Sequence, residues 1–401
     1  MLLVYHLPVA GYLLAAIFSL IVRLFAGVPP WLVIHLTLLG AATTAIVVWS
    51  AYFVDTLLVV APARRRPPSL RVAALTAGVV GVLIGVPEGW NVVVIAGAAL
   101  VAIVVGVHGW LLGAAVIRHR RARFAWLGWF YVPASACLVA GAALGATLAV
   151  TRTTDGRLFA AHVMVNVLGW VGMTVVGSAC AMWPMILATR LPSETAGVAR
   201  LSGAACGVGL ALGVGGLLGS EPIAVGAGLA AYLLGVVVVL GFLLRTAVRV
   251  GRRPHAAVFV ASGIVWLGAA SVWLLLHGPG VLAVELDRVV PWLIPGFVVQ
   301  VLLGALGYLV PVVFGGGPGG SARVRELLAR WWPVRWAMLN VGVLLVLFGD
   351  RRLGSAHRWS ALADTAWWLV GISAAWFLAL AGWGIAAIQR MPPTLPAQTS
   401  R

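Results

Sequence analysis

Charge is what this chain has least of. Only 9% of its 401 residues are charged and 62% are hydrophobic, against about 25% charged and about 45–50% apolar in ordinary soluble domains. That balance excludes a water-soluble fold, because a soluble domain cannot hide so much apolar surface, whereas a bilayer is itself an apolar solvent. Lysine is absent: all 27 basic residues are arginine, set against 10 acids. Cys137, Cys180 and Cys206 are the only cysteines, with no CxxC or disulfide-like spacing, so they read as small buried hydrophobes. Paired carboxylates, a Ser/His/Asp set and a polar stretch long enough for a soluble domain are all missing, which leaves hydrolase and kinase chemistry without support. The glycine run 315–320 before Ser321 lacks the Gly-Lys-Ser/Thr ending of a phosphate loop and reads as a flexible connection. The N-terminus lacks the basic n-region of a signal peptide, so the first apolar run reads as a retained span.

What is present is a series of apolar runs, at about 7–26, 31–60, 70–87, 90–117, 125–151, 158–188, 198–218, 222–246, 255–277, 289–314, 334–349 and 365–388. A transmembrane helix needs about 20 such residues, so the expectation is an all-α polytopic membrane protein with 12 transmembrane helices in a single integral domain. The segments that follow even-numbered runs hold 20 of the 27 arginines, including Arg64, Arg65, Arg66, Arg71, Arg118, Arg335 and Arg390. By the positive-inside rule both termini then lie in the cytoplasm, with a short tail at 391–401, in the cell membrane. Arginines spread over six patches on one face are not a nucleic-acid groove with interleaved aromatics, so no nucleic acid is expected as a partner.

The second, sixth and tenth runs repeat one another. Gly40, Val48 and Asp55 share their spacings of eight and seven with Gly169, Gly177 and Pro184, and with Gly296, Gly304 and Pro311. Arg71, Arg200 and Arg335 each open the next run and precede Gly78, Gly207 and Gly342 by seven residues. The chain therefore parses into repeats of about 5–120, 121–250 and 251–390, each a four-helix unit. Because four spans preserve direction, the expectation is a pseudo-threefold axis along the membrane normal rather than an inverted repeat.

The segment Ala161-His162-Val-Met-Val-Asn166-Val-Leu-Gly169-Trp170-Val-Gly172-Met-Thr174 looks like the H-x-H-x-N-x-x-G-W stretch of small membrane proteins of the haem-copper oxidase subunit I type. His35-Leu-Thr-Leu-Leu-Gly40 looks like a partial copy of it. With its twelve runs and three units, the chain resembles subunit I of the haem-copper oxidase superfamily over nearly its whole length. The resemblance implies that His35 matches a haem axial ligand on the second helix and His162 a copper ligand on the sixth. The family also needs a histidine on the tenth helix and a pair on the seventh, and runs 289–314 and 198–218 have none. A complete oxygen- or nitric-oxide-reducing centre is therefore not expected.

His35 lies five residues before Gly40 and His162 seven before Gly169. At about 100° per helical residue the two leave their helices in different directions, toward different pockets. His277, at the end of the ninth run, is the candidate third ligand. His108 alone of the others lies well inside a run and has no assigned role. Asp55, near the end of the second run, reads as paired with Arg64, Arg65 or Arg66. The expected function is haem or copper binding for electron transfer or for handling nitrogen oxides or copper, with a soluble copper protein or cytochrome as redox partner. Two alternatives stand beside it. One is a cofactor-free transporter, suggested by Thr43, Thr44, Asn166, Thr174, Ser178 and Gln300 within the runs, and the other is a membrane scaffold for a soluble redox partner.

Overall fold

The computed structural model describes residues 3–26, 28–60, 69–352 and 361–390. Arg64, Arg65, Arg66 and the 391–401 tail lie outside them. The described residues form helices and connecting turns, with no strand. In chain order the helices are α1 (Leu3–Ala26), α2 (Pro30–Leu57), α3 (Ser69–Glu88), α4 (Asn91–Arg118), α5 (Ala125–Thr151), α6 (Gly156–Ile186) and α7 (Thr195–Leu218). They continue with α8 (Pro222–Val250), α9 (His255–His277), α10 (Leu282–Leu293), α11 (Ile294–Phe314), α12 (Pro318–Ala329), α13 (Trp332–Arg352) and α14 (Ala361–Gln389). Ten of them are long and apolar enough to cross a membrane, and α1 and α13 carry the shorter apolar stretches Leu7–Arg23 and Trp332–Leu347. The chain is thus a polytopic helical protein suited to a lipid bilayer, with large apolar side chains such as Ile103, Trp110, Ile117 and Ile223 facing outward.

Local sequence sets the helix ends. Pro30 and Pro222 open α2 and α8 at the position where a missing N–H costs nothing. Gly89 and Gly251, both at φ 68°, close α3 and α8 in the left-handed conformation that glycine adopts without strain. The glycine run is not only a flexible link, since Pro318 already opens α12. The buried guanidinium of Arg335 donates from Nη2 to the terminal carbonyls of Leu328 and Arg330 and so caps that helix.

Burial sorts the helices into two classes. The apolar windows of α2, α6 and α11 are 56%, 78% and 72% buried, whereas none of the other seven long apolar helices exceeds 44%. These three are central. Around them, α3 pairs with α4, α7 with α8 and α13 with α14, while α4 packs on α5, α8 on α9 and α14 back on α1. The outer helices therefore close a ring.

Each central helix also contains a stretch of wider π-helical turns, Leu36–Ala42 in α2, Met164–Met173 in α6 and Ile294–Val299 in α11. Gly40, Gly169 and Gly296 fall inside these stretches. A Cβ on each would come within 2.6 Å of Tyr12, 2.7 Å of Cys137 and 2.8 Å of Trp266, on α1, α5 and α9 respectively. Only glycine lets each central helix sit this close to that neighbour. In the wide turns, polar groups find partners that a regular helix would not offer. Thr43 Oγ1 donates five residues back to the Leu38 carbonyl at 2.9 Å, and Trp170 Nε1 donates across to Thr43 Oγ1 at 3.0 Å. Tyr232 Oη, on α8, donates to the Leu168 carbonyl at 2.8 Å.

Candidate functional site

His35 and His162 meet. Their ring centres are 6.4 Å apart with the planes 19° from parallel, although counting at a constant angle per residue sends them in different directions. The two readings are compatible because α2 and α6 are neighbours, joined by the Trp170–Thr43 bond, and side chains that leave adjacent helices in different directions can face one another.

Each imidazole is held by its own backbone surroundings. His35 Nδ1–H donates to the Trp31 carbonyl at 2.8 Å, and the Trp31 ring stacks on it at 4.2 Å. Asp155 caps α6 by accepting from Arg157 N at 2.8 Å, which fixes the turn that leads to His162. His162 Nδ1–H donates to the Gly141 carbonyl of α5 at 3.0 Å. Asn166 Nδ2 donates to the His162 carbonyl at 2.7 Å; its 3.3 Å approach to Nδ1 sets two donors side by side and is no bond in this tautomer. Gly141 and Gly145, one turn apart on α5, form the groove that admits Asn166 and His162. A Cβ on Gly145 would lie 2.8 Å from His162 Cε1. Sequence reading missed this pair, although its small-xxx-small spacing was the signal to find it.

With both Nδ1 protons committed to carbonyls, each ring keeps its lone pair on Nε2. A carbonyl on the far nitrogen is the usual companion of a metal-bound histidine, since it fixes tautomer and ring orientation. The donor set, two neutral imidazoles, is of the kind that a soft or borderline ion takes. A haem fits less well, since it needs a slot for the macrocycle and the cavity among the central helices is lined by neither histidine.

His277 has a different setting. It is exposed at the end of α9, its ring stacks on Trp273 at 4.2 Å, and its Nδ1–H donates to the Trp273 carbonyl at 3.1 Å, the same local arrangement as Trp31 and His35. Among the described residues, no three His, Cys, Asp or Glu side chains come together as a metal site. Trp273 Nε1 donates instead to the buried Glu285 at 2.8 Å, and Glu285 pairs with Arg288 at 2.7 Å.

His108 finds its place in a second polar cluster near the arginine-rich end. Arg71 Nη1 donates to His108 Nδ1 at 2.8 Å; an arginine cannot accept, so the ring proton sits on Nε2 and is donated to Ser50 Oγ, also at 2.8 Å. Ser50 in turn donates to the Ile46 carbonyl at 2.6 Å. The buried ring is thereby satisfied on both nitrogens. Asp55 is half-buried in α2, and the arginines expected beside it lie outside the described residues.

Between the central helices is a cavity of about 120 Å³. Ala45, Trp49 and Ser50 of α2, Thr174 and Ser178 of α6, and Ala305 of α11 contribute to its walls. No family model matches the chain, and a search of curated proteins finds no match.

Proposed function

We propose that this chain is a membrane protein related to haem-copper oxidase subunit I that has kept two of the family's metal-binding positions, His35 and His162, and uses them to hold copper or haem iron. The observation that carries this reading is the pair itself, two imidazoles 6.4 Å apart with their Nδ1 atoms bonded to the carbonyls of Trp31 and Gly141. Of the two groups, copper suits the surroundings better. The bound metal would supply one-electron chemistry for electron transfer, or for handling nitrogen oxides or copper itself.

The chain's own contribution is orientation and seclusion. The carbonyl of Trp31 and the Trp31 ring fix His35, while Gly141, Gly145 and Asn166 fix His162. Each Nδ1–H bond to a carbonyl raises the basicity of the opposite nitrogen. Half-burial between helices limits access by water. His277, on the surface beside Trp273, is suited to the approach of a soluble copper protein or cytochrome.

The reading extends to architecture. The recurring π-helical stretches, the three glycines each packed on a neighbouring helix and the closed outer ring support three four-helix units about a pseudo-threefold axis. The arginine distribution supports twelve spans with both termini in the cytoplasm. One observation favours a cofactor-free transporter instead: the Gln300 amide is fully buried in α11 with neither polar atom bonded, a polar group in the membrane interior with no structural partner.

Metal analysis and the visible spectrum of protein purified after copper and haem supplementation decide between the two readings. About one copper or haem per chain, lost in His35→Ala and His162→Ala, is expected. A preparation with neither metal nor a Soret band overturns the cofactor reading.

A further inference from the structure

The cavity among α2, α6 and α11 is long, and its two ends differ. Its walls run from Ala42, Val171 and Val298 to Phe53, Ile186 and Leu309. From Ala42 to Phe53 along α2 that is about 16 Å, at about 1.5 Å per residue. One end is closed, since Ala42, Val171 and Val298 are buried and beside them Trp170 bonds Thr43 across α6 and α2. At the arginine-rich end Ile186, in the last turn of α6, and Tyr308 of α11 are only half-buried, and there the cavity opens. Its polar side chains are occupied or turned away. Ser50 is engaged with Ile46 and His108, and Ser178 bonds Tyr131, while Thr174 Oγ1 and Trp49 Nε1 are buried out of reach of the cavity. Tyr308 brings the remaining hydroxyl, next to Leu309 at the open end. Water held deeper inside would lack the two to four polar partners it needs, so the cavity suits an apolar chain.

The open end carries charge. After the turn at Gly315–Gly317, α12 folds back and packs on α11 and α14, with Val324, Leu327 and Leu328 buried and Arg325 exposed. Arg325 acts electrostatically on Tyr308 of the cavity wall and on His255 at the start of α9. None of the described ion pairs takes up its charge. Glu326, the next residue, is exposed as well and leaves the helix about 100° further round. An apolar channel therefore ends beside an arginine that no carboxylate of the described residues neutralises.

We propose that this cavity takes the hydrocarbon chain of a single long-chain carboxylic acid, whose carboxylate stays at the arginine-rich end beside Arg325. The length fits, because the reach of one acyl chain is half of the roughly 30 Å hydrocarbon core of a bilayer. A two-chain phospholipid suits the site less. The ring of outer helices stands between the cavity and the bilayer and leaves end-on entry, which a single chain can make. The site is separate from the histidine pair and stands whether or not a metal is bound there.

The test compares radiolabelled dodecanoic acid with dodecanol, one chain with and without a carboxylate, at about pH 9, where the acid is ionised and arginine stays charged. Binding to the purified full chain in phosphatidylcholine nanodiscs is measured against empty nanodiscs. The expected result is one saturable site per chain that prefers the acid by about 2- to 5-fold, the range an exposed ion pair supplies. Arg325→Gln, at an exposed position, should abolish the preference and leave chain binding in place. Ala305→Phe and the milder Ala179→Leu, both on the cavity wall, should weaken both probes. Absence of a saturable site in the wild type overturns the proposal. So does a preference that persists in Arg325→Gln, and so does undiminished binding in a cavity-filling variant that elutes as the wild type does. Displacement of the acid by phosphatidylglycerol added to the nanodiscs would assign the site to a phospholipid and overturn it as well.

Discussion

α6 and α11 share a position at the centre, a π-helical stretch and a glycine seated on a neighbouring helix, yet they treat polar groups in opposite ways. Along α6 nearly every polar side chain has found a partner on another helix or its own backbone. His162 bonds Gly141, Asn166 bonds the His162 carbonyl, Trp170 bonds Thr43, Ser178 bonds Tyr131 and Trp183 bonds the Leu243 carbonyl. Along α11, Gln300 is fully buried with both amide atoms unpartnered, and His255 of α9 turns an unbonded Nε2 toward Gly307. The same backbone frame thus accepts different chemistry. Helix packing is set by small residues and wide turns, and the polar groups that could hold a ligand are added to it independently.

The most damaging change to this contrast should be on the α6 side. Gly145→Leu drives a side chain into His162, and overpacking of this kind costs about 1–3 kcal/mol. Denaturant unfolding in detergent should show that loss, and copper retention should fall by about 10- to 100-fold as the ring is displaced. Unchanged stability would mean that the groove is not as close as the 2.8 Å approach indicates.

Gln300→Leu should act in the opposite direction. It removes a buried amide that has no partner, a group whose desolvation costs about 1–3 kcal/mol, so unfolding should show a gain of about 1 kcal/mol. A loss of stability together with loss of a transport activity would assign Gln300 a working role.

A smaller effect is expected where α6 meets α2. A double-mutant cycle of Trp170→Phe with Thr43→Val should give a coupling of about 0.6 kcal/mol, the average for hydrogen bonds between membrane helices. Coupling near zero would show that the bond contributes nothing beyond packing.

The least change should follow acidification at the α6 cap. The backbone N–H of Arg157, first, and its side chain hold the Asp155 carboxyl below its ordinary pKa. Because the folded value is the lower one, the stabilisation is present above the ordinary carboxylate range and is lost as pH falls through the lowered value. Hydrogen exchange at residues 156–160 should quicken there and in Asp155→Ala, with no change at α11.

Much of this was legible in the chain. The apolar runs fall on the long helices because a membrane-spanning segment must satisfy its backbone internally, which makes length and hydropathy nearly sufficient signals. Gly40, Gly169 and Gly296 were visible in the chain, and each packs closely on another helix because such an approach needs a residue without Cβ. The direction of His35 and His162 was not legible. Which sides of α2 and α6 face each other is set by how the helices pack, and no residue type in either segment states it. His108 was equally opaque, since its partners Ser50 and Arg71 lie 58 and 37 residues away in the chain.

The sequence by itself determined the solvent this protein requires, the number and order of its apolar runs and where its arginines fall, for these depend on composition and on local periodicity. Only the tertiary structure decided which histidines meet, which glycines shape the groove around them, and that the Thr174 hydroxyl is buried without a partner. Those outcomes depend on helix phase and on contacts between distant segments, and both are set when the helices pack.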